Sequence, residues 1–323
     1  MTKTRTTTLA IAFLGLACGA AFAASERGTP IHETAIYEAP DTTSPKLAPA
    51  ERGHELVVLE TSRDWVHVEA LLSTPRRDPE DETEETEGRV VTGWVLGKDM
   101  IRTTTPNGDA IAYGEAVDSE DQASRSHGRR GAAQDAMRLY YRVADLFPTS
   151  PLAAQSLYRA ADIRWQLDKE DVVSRPSARE QAAFLRGHMD ETWMKELIKK
   201  FPGTKWADLA AFRLIENKLC GDWQGASKCP IKEADLYEKY VKDYPQSPAV
   251  PEALYDAAWR WSALIEIYKT EGDEKKSEQS KSKAISLAQS VASQTPQSDW
   301  GARAQRLLYF MSQDIPTYGN IPD

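Results

Sequence analysis

The residues with chemical potential are few, and their spacing narrows what they can do. Cys220 and Cys229 enclose Gly-Asp-Trp-Gln-Gly-Ala-Ser-Lys, a C-x8-C pair that could be a disulfide, a redox couple or part of a zinc site. The spacing matches neither the C-x-x-C of thiol oxidoreductases nor that of zinc ligands. His54-Glu55 starts like a zinc-protease H-E-x-x-H, but position 58 is Val and the second ligand is missing. His32, His54, His67, His127 and His188 are scattered, and there is no G-x-S-x-G, phosphate loop or G-x-G-x-x-G. A non-enzyme without metal or cofactor is therefore expected. Aromatic side chains are the other candidates for binding: Tyr37, Trp65 and Trp94 early in the chain, Trp165, Trp193, Trp259 and Trp261 later. Trp65 and Trp94 could line a groove, but flanked by Val at strand positions they are expected mostly in the core, as are several of the later tryptophans.

Composition excludes classes rather than choosing one. With 41% hydrophobic and 28% charged residues the chain reads as globular, and its net charge of −9 argues against a nucleic-acid partner, which needs basic surface to displace counterions. Lys3 and Arg5 precede an apolar run, Leu9 to Leu16, and a small-x-small site, Ala21-Phe22-Ala23. This is the pattern of a secretory leader cut just before Ala24, too short to span a bilayer, and its loss makes the chain more acidic by two charges. Gly15-Leu16-Ala17 ahead of Cys18 has the wrong order for a lipidation site, so a periplasmic or secreted chain with no membrane span is expected. In an oxidising compartment the two remaining cysteines read best as one disulfide.

Two halves must position these residues. Over 28–102, Leu56-Val-Val-Leu59, Trp65-Val-His-Val68 and Val90-Val-Thr-Gly-Trp-Val95 alternate or run apolar between turn signals, predicting several short strands in a small barrel. Tyr37-Glu-Ala-Pro40, Gly53-His-Glu-Leu-Val-Val-Leu59, Asp64-Trp-Val-His-Val68 and Gly93-Trp-Val95 follow one another in the order and spacing of the bacterial SH3-like (SH3b) domain, which this segment resembles. The resemblance implies a small SH3-like β-barrel that binds peptidoglycan or peptides. An insertion at 73–88 departs from it and holds Asp78, Glu80, Asp81, Glu82, Glu84, Glu85 and Glu87. Without the Gly-punctuated spacing of a calcium loop, it reads as a solvated hairpin tip rather than a cation site. Residues 103–130 are polar and read as a linker, with Arg125, His127, Arg129 and Arg130 as a solubilising patch.

Residues 131–315 repeat a punctuation mark: Phe147-Pro-Thr-Ser150, Phe201-Pro-Gly-Thr204, Tyr244-Pro-Gln-Ser247 and Thr295-Pro-Gln-Ser298. Each Pro should stop a helix and each Ser or Thr cap the next, with Pro151 and Pro248 at the first helical position. Ala and large aromatics recur at helical spacing on both sides, predicting four helix pairs stacked as an α-solenoid. The turn and the pairing resemble tetratricopeptide (TPR) repeats, especially periplasmic TPR proteins such as the assembly lipoprotein BamD and the Tol–Pal coordinator CpoB. The Pro residues lie 54, 43 and 51 apart, against ~34 for a regular repeat. Extra length is expected near 168–179, 220–233 and 270–280.

Together these expectations describe an exported, non-enzymatic binding protein, multidomain all-β plus all-α, with an envelope protein or peptide, or peptidoglycan, as partner. The alternatives are an envelope assembly or division accessory acting only through helical-repeat contacts, and a divergent cell-wall hydrolase that uses the SH3b module for targeting.

Overall fold

The computed structural model describes residues 26–73, 88–180 and 182–319. The expected leader with Cys18, and the acidic segment 74–87, lie outside the described residues.

Seven strands, β1 (Arg27–Pro30), β2 (Thr34–Tyr37), β3 (Lys46–Ala50), β4 (Leu56–Ser62), β5 (Trp65–Ser73), β6 (Gly88–Leu96) and β7 (Met100–Arg102), form one sheet in the order β3-β2-β6-β5-β4-β1-β7. All the pairings are antiparallel. The expected closed barrel is instead a curled half-barrel. Its two edge strands do not meet. Pro49 removes a backbone donor from β3, and the three-residue β7 is covered where Ile101 packs against the helices. The period of two along β5 sends Val66 and Val68 to the concave side, where they bury with Ile36, Leu56, Val91 and Val95. Each such side chain contributes about 1.5–3 kcal/mol by leaving water.

Helices follow. The segment read as a polar linker is largely a helix, α1 (Gly108–Ser124), packed on α2 (Ala132–Leu146). Its buried stripe is Gly108, Ala112, Ala116 and Ser119, small residues that admit a close neighbour but give little contrast against Asp109, Asp118 and Asp121. Only a short connection remains, in which Arg129 pairs with Asp135, and Arg125 pairs back to Asp121 on α1.

The four Pro turns join α2 to α3 (Ala153–Ser174), α4 (Thr192–Lys200) to α5 (Lys205–Arg213), α6 (Lys228–Asp243) to α7 (Val250–Thr270) and α8 (Glu274–Gln294) to α9 (Asp299–Ser312). Phe147, Phe201, Tyr244 and Thr295 share one backbone state, with φ of −128°, −128°, −129° and −134° and ψ of 59°, 53°, 60° and 56°. The pyrrolidine ring that follows excludes each from the α region and ends its helix. Thr204 and Ser298 then cap, accepting from the amides of Ala207 (3.2 Å) and Gly301 (3.0 Å). At the other two turns the helix starts later than expected. Ser150 and Ser247 accept from Leu152 and Ala249 within the turn itself, so Pro151 and Pro248 precede the helices and Pro251 occupies the first turn of α7. The extra length is accommodated in three ways: by a 22-residue α3 followed by 3-10 turns, by a loop ahead of α6, and by two 21-residue helices, α7 and α8, joined at Gly272, whose φ is +78°.

The sheet and the helices meet directly. Gly53, at φ +75°, lies against α2 so closely that a Cβ there would fall 2.4 Å from that of Arg138. Arg138 donates to the carbonyl of Arg52 (2.9 Å), and Arg142 donates to that of Gly53 (3.1 Å) and to Glu55 (3.1 Å). Arg27 bridges Glu55 and Asp145, at 3.0 Å each.

Candidate binding surfaces

The three early aromatics share one face of the sheet, with Tyr37 buried there. Trp65 and His67 alternate with the core valines and therefore point to the opposite, convex face, where register aligns His67 with Trp94 and Trp94 with Tyr37. Tyr37 meets Trp65 edge-on with centroids 5.5 Å apart, and Trp94 stacks on His67 at 4.7 Å. Trp65 and Trp94 are half-buried and neither belongs to the valine core, which corrects the expectation for both. Gly93 permits this arrangement, since a Cβ there would lie 2.5 Å from the carbonyl oxygen of Tyr37.

Beside Tyr37 runs an open groove of about 690 Å³ between the β2–β3 hairpin and the end of β6, walled by Leu47 and Leu96 and edged by Glu33, Lys46 and Asp99. The same face continues along the β5–β6 hairpin to the cross-strand pair Leu71 and Val90, which are 69% and 57% exposed. The surface offers ring faces, an apolar floor and charges of both signs.

The later tryptophans are distributed through the helical packing. Trp165 is 1% exposed and donates to Glu216 at 2.7 Å. Trp193 is sandwiched between Tyr141 (4.5 Å) and the Arg164 guanidinium (4.7 Å), in the same core cluster as Trp165. Trp259 and Trp261 belong to a second cluster, the first beside Trp223 (5.1 Å), the second under Lys283 (4.6 Å) and donating to Glu238 (2.7 Å). These side chains fill gaps between helices and do not converge on one ligand surface.

Sequence reasoning missed a buried polar centre beneath the cysteine loop. The Cys220 and Cys229 sulfurs are bonded, with Cα atoms 6.0 Å apart. Glu233 on α6 and Arg260 on α7 are both buried, and Arg260 donates to Glu233 at 2.9 Å. The other Glu233 oxygen accepts from the Cys220 amide (2.8 Å) and the Trp223 indole (3.1 Å). Arg260 also lies over the rings of Tyr237 and Trp259. Burial pushes the Tyr237 hydroxyl well above the ordinary phenol range and raises the neighbouring Asp256 carboxyl, which Arg260 partly offsets. An i, i+4 scan cannot pair residues 27 positions apart on different helices; the only local signal was Trp223 inside a short cysteine loop. Three protein donors converge on Glu233 and tie the disulfide loop, α6 and α7 together.

Among the described residues, no group of three or more His, Cys, Asp or Glu is placed to hold a metal, and no helix is long and apolar enough to cross a membrane. No family model and no curated protein matches the chain. Among solved structures it is similar to the DHF58 filament (15% identity, 64% of this chain and 91% of that one, TM-score 0.22). It is also similar to the de novo designed helical repeat protein DHR64 (16% identity, 64% and 92% covered, TM-score 0.20). Neither TM-score supports an assignment of fold or function.

Proposed function

We propose that this is an exported, non-enzymatic scaffold in which the convex face of an SH3b-like sheet holds a cell-wall or peptide ligand and a TPR-like helical array holds a partner protein. The observation that carries this reading is the pair of half-buried rings Trp65 and Trp94, which share one face of the sheet with the buried Tyr37, itself a wall of the groove. Aromatic faces exposed at the cost of burial elsewhere are a common mark of a contact surface. The disulfide and the leader pattern support a periplasmic or secreted location. The direct seating of α2 on the sheet supports one tethering unit, so that capture at the groove would localise whatever the helices hold.

The test is retention of the mature full chain on purified sacculi, compared with its Trp65→Ala and Trp94→Ala variants. Retention that falls at least tenfold in the variants is expected. No retention of the unaltered chain would reject wall binding, and release of muropeptides would reject the non-enzymatic reading.

A further inference from the structure

Residues 314–319, beyond α9, return to the helices. The chain turns at Asp314, whose φ is +54°, and runs back over α7 and α8 to the disulfide loop. Asp314 accepts from Lys281 at 2.7 Å, and Lys269 adds to the positive field around it. Ile315 and Pro316 help wall a pocket with Ile265 and Met311. Thr317 lies 2.8 Å from the hydroxyl of Ser262, a buried side chain on α7. Ser262 already donates its proton to the Trp259 carbonyl, so Thr317 is the donor. The Tyr318 ring packs tilted against Trp223, centroids 5.2 Å apart, and its hydroxyl accepts from the Gly225 amide at 3.1 Å.

Two properties distinguish residues 314–319. Past the bond from the Ile315 amide to Phe310, Pro316 to Gly319 make no backbone–backbone hydrogen bond among the described residues, and the contacts that hold them there are made by side chains. Their receptor, in contrast, is built without them. The Trp223 wall is fixed by the disulfide and by Glu233, and Ser262 by its own helix. A weakly held segment in an independently formed trough opens at low cost.

We propose that the trough between the disulfide loop, α7 and α8 is a peptide-binding site that this chain fills in cis with Asp314-Ile-Pro-Thr-Tyr318, and that a partner presenting an Asp-x-Pro-Thr-Tyr segment competes for it. Each position has a counterpart: lysines for the carboxylate, an apolar wall for the x-Pro pair, the Ser262 oxygen for the Thr hydroxyl, and the Trp223 ring for the Tyr. The cis segment enjoys a high effective concentration and masks the site until it is displaced. This inference is independent of the sheet groove.

The experiment measures anisotropy of a fluorescein-labelled synthetic peptide, Gln-Asp-Ile-Pro-Thr-Tyr-Gly, added to three proteins: the full chain, the chain ended after Gln313, and full-length Tyr318→Ala. Saturable binding at least tenfold tighter to the shortened chain than to the full chain is expected, with an intermediate gain of at least threefold for Tyr318→Ala. Peptides with Thr→Val or Tyr→Ala should bind the shortened chain at least tenfold more weakly. Absence of binding to a shortened chain that keeps the far-UV circular dichroism of the full chain, or equal affinity for both, would overturn the proposal. If the shortened chain does not fold, Tyr318→Ala decides, and no gain in that variant overturns it.

Discussion

Arg260 donates to Glu233 at 2.9 Å inside the protein, and the two side chains are 9% and 2% exposed. The pair fastens α7 to α6, and through the other oxygen of Glu233 it fastens the cysteine loop to both. Replacing Glu233 by Ala strands the Cys220 amide and the Trp223 indole and leaves the guanidinium only the longer pair with Asp256, at 3.4 Å. Glu233→Ala is expected to lose about 3–5 kcal/mol of stability, read as a fall in the urea midpoint. A Glu233→Gln, Asp256→Asn, Arg260→Met triple variant should lose less, because it also removes the second carboxylate paired with Arg260 and leaves no charge unpaired.

The disulfide closes a short loop. By the chain-entropy relation its reduction removes about 2–3 kcal/mol. Trp223, 7% exposed, reports on the loop, so dithiothreitol should red-shift tryptophan emission as well as lower the urea midpoint. Titration of the denatured, unreduced mature chain should find no free thiol.

Gly53 is where the sheet touches α2. Its φ of +75° and the 2.4 Å approach to Arg138 leave no room for a methyl group. Gly53→Ala should cost about 1–3 kcal/mol from backbone strain and displacement of Arg138. Comparing its midpoint with that of Gly131→Ala, where φ is +76° but nothing lies near, separates the clash from the backbone term.

His54 beside that contact should make stability depend on pH. Burial, and then the Arg138 charge, lower its pKa, while Glu51 opposes; Arg142 and Asp135 act further off with opposite signs. A histidine with a depressed folded pKa binds more protons unfolded than folded, so its contribution is complete above the unfolded value of about 6.5 and is lost as pH falls through the folded pKa. Urea midpoints should decline from pH 7.5 toward pH 5. The decline should be shallower in His54→Gln, and equal slopes would remove His54 as the cause.

Local physics was legible in the sequence wherever a residue acts on its own neighbours. Each of the four Pro turns ends its helix because the ring constrains the residue just before it, and all four carry one backbone geometry. The cysteine pair was legible for a similar reason, a short loop in a chain with no other cysteine after the leader pattern. The convex placement of Trp65 was also present, since alternation with Val66 and Val68 puts it across the sheet from them; hydrophobicity pulled the expectation toward the core. Tertiary structure alone decided the rest. The Ala and Ser stripe of α1 has too little contrast to declare a buried face until α2 covers it. The half-barrel stays open because strand edges are settled by what else covers them, here Pro49 on one side and the helices on the other. Glu233 and Arg260 find each other, and Tyr318 finds Trp223, across separations of 27 and 95 residues. Burial and pairing at that range depend on how helices stack, a property no window of sequence contains.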